Sequence, residues 1–244
     1  MSDLRTIDRA LERIERERES IERERGAFDR FETRLRPLPI ASRTAGGERV
    51  DPTTVVETYD DTVMATVARE RAYDETLEEH LSNELGEVLA KRLEKTEALT
   101  GRLKRDLLSA AEEARNRREG LLVVLDGERS SIETARRDLR RIHERLVETP
   151  GCSTHEQPID RVIDGWRALD GLEANCGSIA TERQRYLFEE RPSKPFDDPL
   201  LFDAYLYRDL ETTHPVLSAV AATIEAIGSK RITGIDRDEQ DIPV

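Results

Sequence analysis

The amino-acid sequence predicts an all-α protein made of long helices that pack along narrow apolar stripes. Charged residues make up 37% of the chain and aromatic residues only 5%, whereas a compact enzyme core is usually more apolar. Apolar side chains recur at alternating steps of three and four residues over 3–36, 100–146 and 158–190. Such a spacing is typical of a helix that faces partner helices along a coiled-coil seam. Prolines and glycines separate the three segments.

The first predicted helix spans residues 3–36. Arg18 and Arg25 interrupt its stripe, and polar residues in a seam set the register and the choice of partner. Oppositely charged residues three or four positions apart each add only about 0.2–0.5 kcal/mol, so the seam must supply most of the stability. The apolar positions of this stripe are Leu4, Ile7, Leu11, Ile14, Ile21, Phe28 and Leu35.

Two shorter helices follow a loop over 37–50. Asp51 as N-cap and Pro52 at the first helical position predict a helix with a broad apolar face, as in a globular core. That face carries Val55, Val56, Tyr59, Val63, Met64 and Val67. Thr76 and Glu79 form a capping-box pattern that starts the next helix. One face of this next helix carries Leu77, Leu81, Leu85, Val88, Leu89 and Leu93.

The longest predicted helix begins after Thr100 and extends to Leu146. The pair Asp126-Gly127 is a turn signal, and a break there is the rival interpretation. The stripe keeps its phase from Leu125 to Ile132, which favours one continuous helix. Its positions are Leu107, Ala111, Ala114, Arg118, Leu121, Leu125, Glu128, Ile132, Ala135, Leu139, Ile142 and Leu146.

Three further helices are predicted in the last part of the chain. The first starts at Pro158, extends to about Glu190 and has the stripe Ile159, Val162, Trp166, Leu169, Cys176, Ala180 and Leu187. Asp198-Pro199 caps a short helix that ends near Leu210. The last helix is Val216–Ile227, and Gly228 closes it.

These elements predict one domain over 1–228, because short loops make neighbouring long helices antiparallel. The expected architecture is an elongated antiparallel three-helix coiled-coil stalk with a small helical head, formed by the 52–98 insertion and the C-terminal helices. The stalk comprises 3–36, 116–148 and 158–190, the head comprises 52–115 and 196–228, and 229–244 is a flexible tail. Any binding site is expected against residues 100–117, where the stripe broadens.

Composition narrows the functional classes. A net charge of -13 argues against general affinity for nucleic acid or anionic membranes, which bind clustered Lys and Arg. Only five of the 39 basic residues are Lys, a composition typical of salt-loving archaea, with high genomic GC in a mesophile as the alternative. No apolar run reaches the roughly 18–20 residues of a membrane span, and the N-terminus lacks a signal-peptide pattern. We therefore expect a soluble cytoplasmic protein.

Few side chains suit catalysis or metal binding. The candidate zinc ligands Cys152, His155, Cys176 and His143 lack the paired spacing of a zinc site. Glu211 and His214 form a single E-x-x-H unit, whereas a di-iron bundle needs two. The sequence has no P-loop, dinucleotide-binding or nucleophile-elbow motif. We predict no enzyme activity, no catalytic residue, no cofactor and no metal.

Two function hypotheses follow. The leading one is a non-enzymatic structural or interaction protein that binds a protein partner or self-associates as a homodimer. The alternative is a regulatory module that binds a ligand or nucleic acid through the head, in a pocket lined by Tyr59, Tyr73, Tyr205 and Tyr207. Basic clusters at 115–118 and 136–141 are interspersed with acids, so a solvated helix face is favoured over nucleic-acid contact. The aromatic stretch 202–207 is also typical of simple core packing.

Several short stretches resemble a haloarchaeal family of uncharacterised coiled-coil proteins, one of the families defined as a domain of unknown function. The matching stretches are Tyr59-Asp60-Asp61-Thr62-Val63-Met64, Leu77-Glu78-Glu79-His80-Leu81, Leu107-Leu108-Ser109-Ala110-Ala111, Arg115-Asn116-Arg117-Arg118-Glu119, Leu206-Tyr207-Arg208-Asp209-Leu210 and His214-Pro215-Val216-Leu217. None is a catalytic signature. The resemblance implies an all-α fold and a salt-adapted source, and it implies no activity.

Overall fold

A computed structural model describes residues 2–41, 51–66, 75–149, 158–192 and 199–232. All regular secondary structure in these residues is helical, so the predicted all-α fold is confirmed. The chain divides into two compact units. We call Arg16–Val123 the central unit, and Met1–Glu15 with Val124–Val244 the terminal unit.

Eight α-helices and two π-helices form the described part of the chain. The α-helices are α1 (Ser2–Leu35), α2 (Pro52–Tyr59), α3 (Leu77–Leu85), α4 (Glu87–Lys95), α5 (Gly101–Glu148), α6 (Ile159–Arg185), α7 (Pro199–Leu206) and α8 (Pro215–Ile232). The π-helices, Asp60–Met64 and Tyr186–Glu190, directly continue α2 and α6. None of the described helices is long and apolar enough to cross a membrane.

Helix α5 continues through Gly127 without a break, which confirms the prediction of a single long helix. Its part up to Val123 belongs to the central unit and the rest to the terminal unit. The buried stripe differs from the predicted one at one step, where Leu121 is half-buried and its neighbour Leu122 is buried. The buried positions of α5 are Leu103, Leu107, Ala111, Ala114, Leu122, Val124, Leu125, Glu128, Ile132, Ala135, Leu139, Ile142 and Leu146.

Helix α1 buries a slightly different stripe from the predicted one. The predicted stripe positions that lie seven residues apart are buried. The buried positions between them lie three residues after each of these, where the prediction placed them four residues after, so Glu17 and Glu24 are buried. Arg18 and Arg25 lie beside the stripe and pair with Glu22 at 3.1 Å and with Glu119 at 2.6 Å. The prediction that these arginines interrupt the seam is therefore wrong. Buried positions of α1 are Ile7, Ala10, Ile14, Glu17, Ile21, Glu24, Ala27, Phe28, Phe31, Glu32 and Leu35.

Arg118 explains why a carboxylate faces the seam at Glu24. Its side chain is only 11% exposed, and its Nε donates to Glu24 at 3.2 Å. The same guanidinium donates to both carboxylate oxygens of Glu84 in α3, at 2.6 and 2.5 Å, and lies 4.7 Å from the ring centroid of Phe28. Arg118 was predicted as a polar seam residue of α5. Its hydrogen bonds join α5 to α1 and to α3 within the central unit.

Capping residues define the short helices of the central unit as predicted. Asp51 accepts a hydrogen bond from the backbone N–H of Thr53, and Thr76 forms a capping box with Glu79. The segment after Thr76 is two helices, however, because Gly86 has φ of 94° and ends α3. The prediction of one apolar face through to Leu93 is therefore wrong. The break turns Val88 outward, and it is 74% exposed.

The core of the central unit is centred on Tyr59, which is completely buried. Its ring makes edge-on contacts with Phe31 and Phe28, at centroid distances of 5.2 and 6.3 Å. Its hydroxyl lies 2.8 Å from Nδ1 of His80, which is also buried. Burial lowers the pKa of His80 and raises that of Tyr59. A neutral imidazole therefore accepts the tyrosine hydrogen at neutral pH.

Helix α6 buries only three of its seven predicted stripe positions, Val162, Leu169 and Cys176. Ile159 and Trp166 are 73% and 41% exposed, and Ala180 and Leu187 are half-buried. Gly165 and Ile179 are buried in place of their neighbours Trp166 and Ala180. The buried positions of α6 alternate strictly between steps of three and four residues, starting at Val162 and including Leu169 and Cys176. The buried positions of α6 are Val162, Gly165, Leu169, Leu172, Cys176, Ile179 and Arg183.

Helix α8 does not end at Gly228, so the predicted helix end there is wrong. One further turn follows and reaches Ile232. Two side chains of this turn make tertiary contacts: Lys230 donates to the carbonyl of Leu146 at the end of α5, and Arg231 donates to Glu173 of α6 at 2.8 Å. Lys230 thereby satisfies a carbonyl that the end of α5 leaves open, and the two contacts together hold the added turn against α5 and α6. Residues 233–244 lie outside the described part of the chain.

The two compact units meet within α1, after Glu15, and within α5, after Val123. Tyr59 belongs to the central unit, whereas Tyr205 and Tyr207 belong to the terminal unit. Within the terminal unit Tyr207 donates a hydrogen bond to Glu128 of α5 at 2.5 Å. The division into stalk and head stays a prediction.

The buried Tyr59–His80 pair predicts a specific dependence of stability on pH. The imidazole has a lowered pKa in the folded protein and the ordinary value of 6.5 in the unfolded chain, chiefly because of burial. Glu84 and Glu75 oppose this effect and Arg118 reinforces it. Below pH 6.5 the unfolded chain therefore binds the proton first, and stability falls as the pH falls towards the folded pKa.

The check is urea unfolding of the protein and of His80→Asn between pH 8 and pH 5. We expect the unfolding free energy of the protein to fall more steeply than that of the variant, which keeps a hydrogen-bonding group but cannot titrate. Parallel curves for the two proteins would contradict the buried neutral imidazole. The other histidines are present in both proteins and cancel in the difference.

Candidate functional site

A buried carboxylate on α5, Glu128, organises the terminal unit. It is 0% exposed and accepts hydrogen bonds on both oxygens. Arg183 of α6 donates to Oε1 at 2.5 Å and to Oε2 at 3.2 Å, and Tyr207 donates to Oε1 at 2.5 Å. Burial is the main reason that the pKa of Tyr207 is raised, so its phenol stays a neutral donor. A buried charge of this kind persists only when its partners are in place.

A second ion pair adjoins the first. Arg191 donates to both oxygens of Asp203, at 2.6 and 3.1 Å, and also lies 3.8 Å from Glu128. The four charges sum to zero, which allows them to share a buried volume. We call Glu128, Arg183, Arg191, Asp203 and Tyr207 the buried ionic cluster.

The π-helix at Tyr186–Glu190 places two groups beside this cluster. Its closing hydrogen bond joins the N–H of Arg191 to the carbonyl of Tyr186 at 2.8 Å, and the chain then directs Arg191 towards Asp203. The Tyr186 hydroxyl is buried and has no hydrogen-bond partner in the described part of the chain. It lies 2.9 Å from the point where a Cβ on Gly127 would stand. A Cβ at this point of α5 would therefore displace the phenol.

Two cavities lie along one side of the α5–α6 pair. A cavity of about 750 Å³ lies between the end of α5 and the first half of α6, and another of about 310 Å³ lies between Gly127–Asp138 and Ile179–Glu190. The lining positions on α6 recur every three or four residues from Arg161 to Tyr186, so one face of the helix lines both cavities. We call this continuous surface the α5–α6 groove.

Three residues with short side chains, Ala168, Gly171 and Asn175, line the larger cavity and are exposed. The longer side chains Arg161, Asp164, Arg167 and Leu172 of the same helix line it as well. A Cβ on Gly171 would meet nothing within 4 Å, so the fold of this chain does not require a glycine there. A glycine inside a helix costs about 1 kcal/mol relative to alanine.

The groove lies along residues 127–149, whereas a site was expected against residues 100–117. A separate cavity of about 430 Å³ lies against that stretch, lined by Asp106, Ser109, Ala110 and Glu113 together with Leu85 and Arg92.

The groove has a different balance of charge at its two ends. Arg161 and Arg145 line the larger cavity and have no ion-pair partner in the described residues, and Glu148 is the one unpaired acid in its lining. At the other end Glu182 has no ion-pair partner within the described part of the chain, whereas Arg185 is bound to Glu190 at 3.0 Å and Asp138 to Arg141 at 3.1 Å. The first end is therefore the more basic and the second the more acidic.

The residues singled out for metal chemistry are not brought together where the structure describes them. Cys176 is buried, and burial raises the pKa of its thiol, which keeps it protonated. His143 binds the carbonyl of Leu139 within α5. Cys152 and His155 lie outside the described residues. The described residues contain no group of three or more potential metal ligands.

The tyrosines of the predicted pocket differ in exposure. Tyr59 and Tyr207 are each completely buried and hydrogen-bonded, to His80 and to Glu128, and Tyr205 is half-buried. Tyr73 lies outside the described residues, as does Val67. The two buried phenols are therefore occupied by partners within the protein.

A family model matches nearly the whole chain, over residues 5–231. Its description is a domain of unknown function, DUF7260. The chain belongs to the DUF7260 family. No curated protein and no solved structure matches the chain. The matched DUF7260 region includes both units, the buried ionic cluster and the groove.

Sequence reasoning found part of this DUF7260 site. Glu128 was a predicted stripe position of α5, but Arg183, Arg191 and Asp203 were missed. A strict seven-residue repeat would have found Arg183, since it lies seven positions after Cys176. In an antiparallel pair of α5 and α6, Arg183 also lies at the level of Glu128. Nothing in the local sequence marks Arg191 and Asp203, because they are 12 residues apart and no helical spacing relates them.

The buried ionic cluster predicts a large stability effect of one substitution. Glu128→Ala leaves Arg183 without its carboxylate and Tyr207 without its acceptor, so we expect a loss of about 3–5 kcal/mol of unfolding free energy. Asp164→Ala is the control, since it removes an exposed ion pair with Arg167 at 3.4 Å and should cost less than about 1 kcal/mol. Urea denaturation of both variants measures the difference. Equal effects would show that the cluster is not a buried unit.

The close approach of Gly127 and Tyr186 predicts a non-additive pair of substitutions. Gly127→Ala gains about 1 kcal/mol of helix propensity but forces the phenol away, so little of the gain is realised. Tyr186→Phe removes a buried hydroxyl that lacks a partner and should be neutral or stabilising. In the Tyr186→Phe background, Gly127→Ala should then show its full gain. A double-mutant cycle with no coupling energy would contradict this contact.

Proposed function

We propose that this DUF7260 protein is a non-enzymatic helical scaffold that binds a helix of another protein chain in the α5–α6 groove. The observation that carries the proposal is the exposed face of α6 beside α5, where Ala168, Gly171 and Asn175 line the larger cavity and Gly171 has open space at its Cβ position. A glycine in the middle of a helix is destabilising, and it is useful where another backbone must approach closely. Two neighbouring helices with a groove between them offer the ridges and grooves into which a further helix packs.

The state of the buried charged groups supports a scaffold over an enzyme. Catalytic acids and nucleophiles need a free position for a substrate and a pKa near the working pH. In the buried ionic cluster each carboxylate is bound by an arginine, and burial raises the pKa of Tyr207. The cluster is thus suited to holding α6 against α5. We also propose a salt-rich cytoplasm as the setting, on the strength of the acidic, lysine-poor composition.

The hypothesis of a ligand pocket in a tyrosine-lined head has no comparable support. Tyr59 and Tyr207 are completely buried in separate units and have hydrogen-bond partners, His80 and Glu128. Neither phenol is available to a ligand in this arrangement. The groove is therefore the better candidate for binding.

The test compares three baits in affinity capture from a cell lysate: the protein, Gly171→Leu and Gly177→Leu. Both glycines lie in α6 with open space where a Cβ would stand, but only Gly171 lines the groove. Each leucine should raise the stability of α6 by about 1 kcal/mol, so both variants remain folded. We expect the protein and Gly177→Leu to capture the same partner, and Gly171→Leu to lose it. Identical capture by all three baits would contradict binding in the groove.

A further inference from the structure

The two ends of the α5–α6 groove are complementary to each other. The basic end carries Arg145 and Arg161 against one acid, Glu148, and the acidic end carries Glu182. If a second groove is laid on the first in the opposite direction, each basic end meets an acidic end. A two-fold axis across the groove generates this arrangement, and self-complementary patches of this kind form the common isologous dimers.

The position of Gly171 agrees with such an axis. The α6 face runs from Arg161 to Tyr186, a length of about 38 Å, and Gly171 lies near its middle. In a two-fold pair of crossing helices the backbones come closest at the axis, where side chains of both copies compete for the same space. A glycine whose Cβ position is empty within its own chain relieves that competition.

The size of the groove also suits a dimer. Two helices side by side, each about 10 Å across, present a face of about 38 by 20 Å. This area is close to the roughly 800 Å² that each partner contributes to a standard protein interface. A short peptide or a small ligand would cover only one of the two cavities.

We infer that the α5–α6 groove binds the same groove of a second copy of this chain, in an antiparallel, two-fold arrangement centred near Gly171. The inference rests on the proposed function, since it names the partner that the groove binds. The contact has small residues at its centre and oppositely charged residues at its ends.

Sedimentation velocity over a concentration series, at low and at high salt, tests the arrangement. The protein and Gly177→Leu should form dimers at concentrations of about 10–100 µM, and Gly171→Leu should weaken dimerisation at least about 100-fold, because both copies insert a leucine at the axis. Higher thermal stability of both leucine variants confirms that loss of the dimer is not loss of the fold.

A charge exchange tests the direction of the two chains. Arg161→Glu places an acid opposite the acidic end of the partner and should weaken the dimer about five- to tenfold at low salt. Adding Glu182→Arg to the same chain restores opposite charges at both ends and should restore the affinity. Failure of the second substitution to rescue the first would overturn the antiparallel arrangement.

Other occupants of the groove give distinct results. A monomer at every concentration overturns the dimer, and if affinity capture still depends on Gly171, the proposed function stands with a different partner. If the protein is a monomer and affinity capture does not depend on Gly171, both the dimer and the proposed function are overturned. A monomer that dimerises only after deletion of 233–244 would assign the groove to the C-terminal segment of the same chain, which also overturns the inference.

Discussion

The buried carboxylate of Glu128 is the constraint on which the terminal unit depends. A carboxylate that is 0% exposed must be neutralised and hydrogen-bonded, and Arg183 and Tyr207 meet both requirements. Arg183 lies in α6 and Tyr207 just after α7, so one side chain of α5 determines where both segments pack. An apolar residue at this position would stabilise the unit without fixing the register, because apolar surfaces slide more easily than a bidentate ion pair.

The groove is a consequence of that packing. Arg183 and Tyr186 belong to the same turn of α6 and its π-helical continuation, and Gly127 receives the phenol one residue before Glu128. These contacts hold α6 against α5 in one rotation about its axis. The face that carries Ala168, Gly171 and Asn175 then remains exposed. Arg183 and Tyr186 also line the smaller cavity, so the contacts that position α6 form part of the groove wall.

The sequence predicted the helices well and their faces less well. The continuous α5 and the caps at Asp51 and Thr76 follow from local signals, namely periodicity and capping chemistry. The faces of α1 and α6 depend on tertiary partners. Glu24 is buried because Arg118 lies opposite, and Arg183 because Glu128 lies opposite, whereas periodicity alone favoured apolar residues nearby. Gly86 ended a helix through a positive φ and Gly228 did not, a difference that the residue type does not reveal.

The most direct test of this account is hydrogen exchange of the protein and of Glu128→Gln, which keeps the size of the side chain and removes its charge. If the carboxylate fixes α6 on α5, amides of Ile179–Glu190 should exchange faster in the variant, while amides of Pro52–Lys95 in the central unit should keep their rates. Unchanged exchange across Ile179–Glu190 would contradict the account, as would an equal increase in both units.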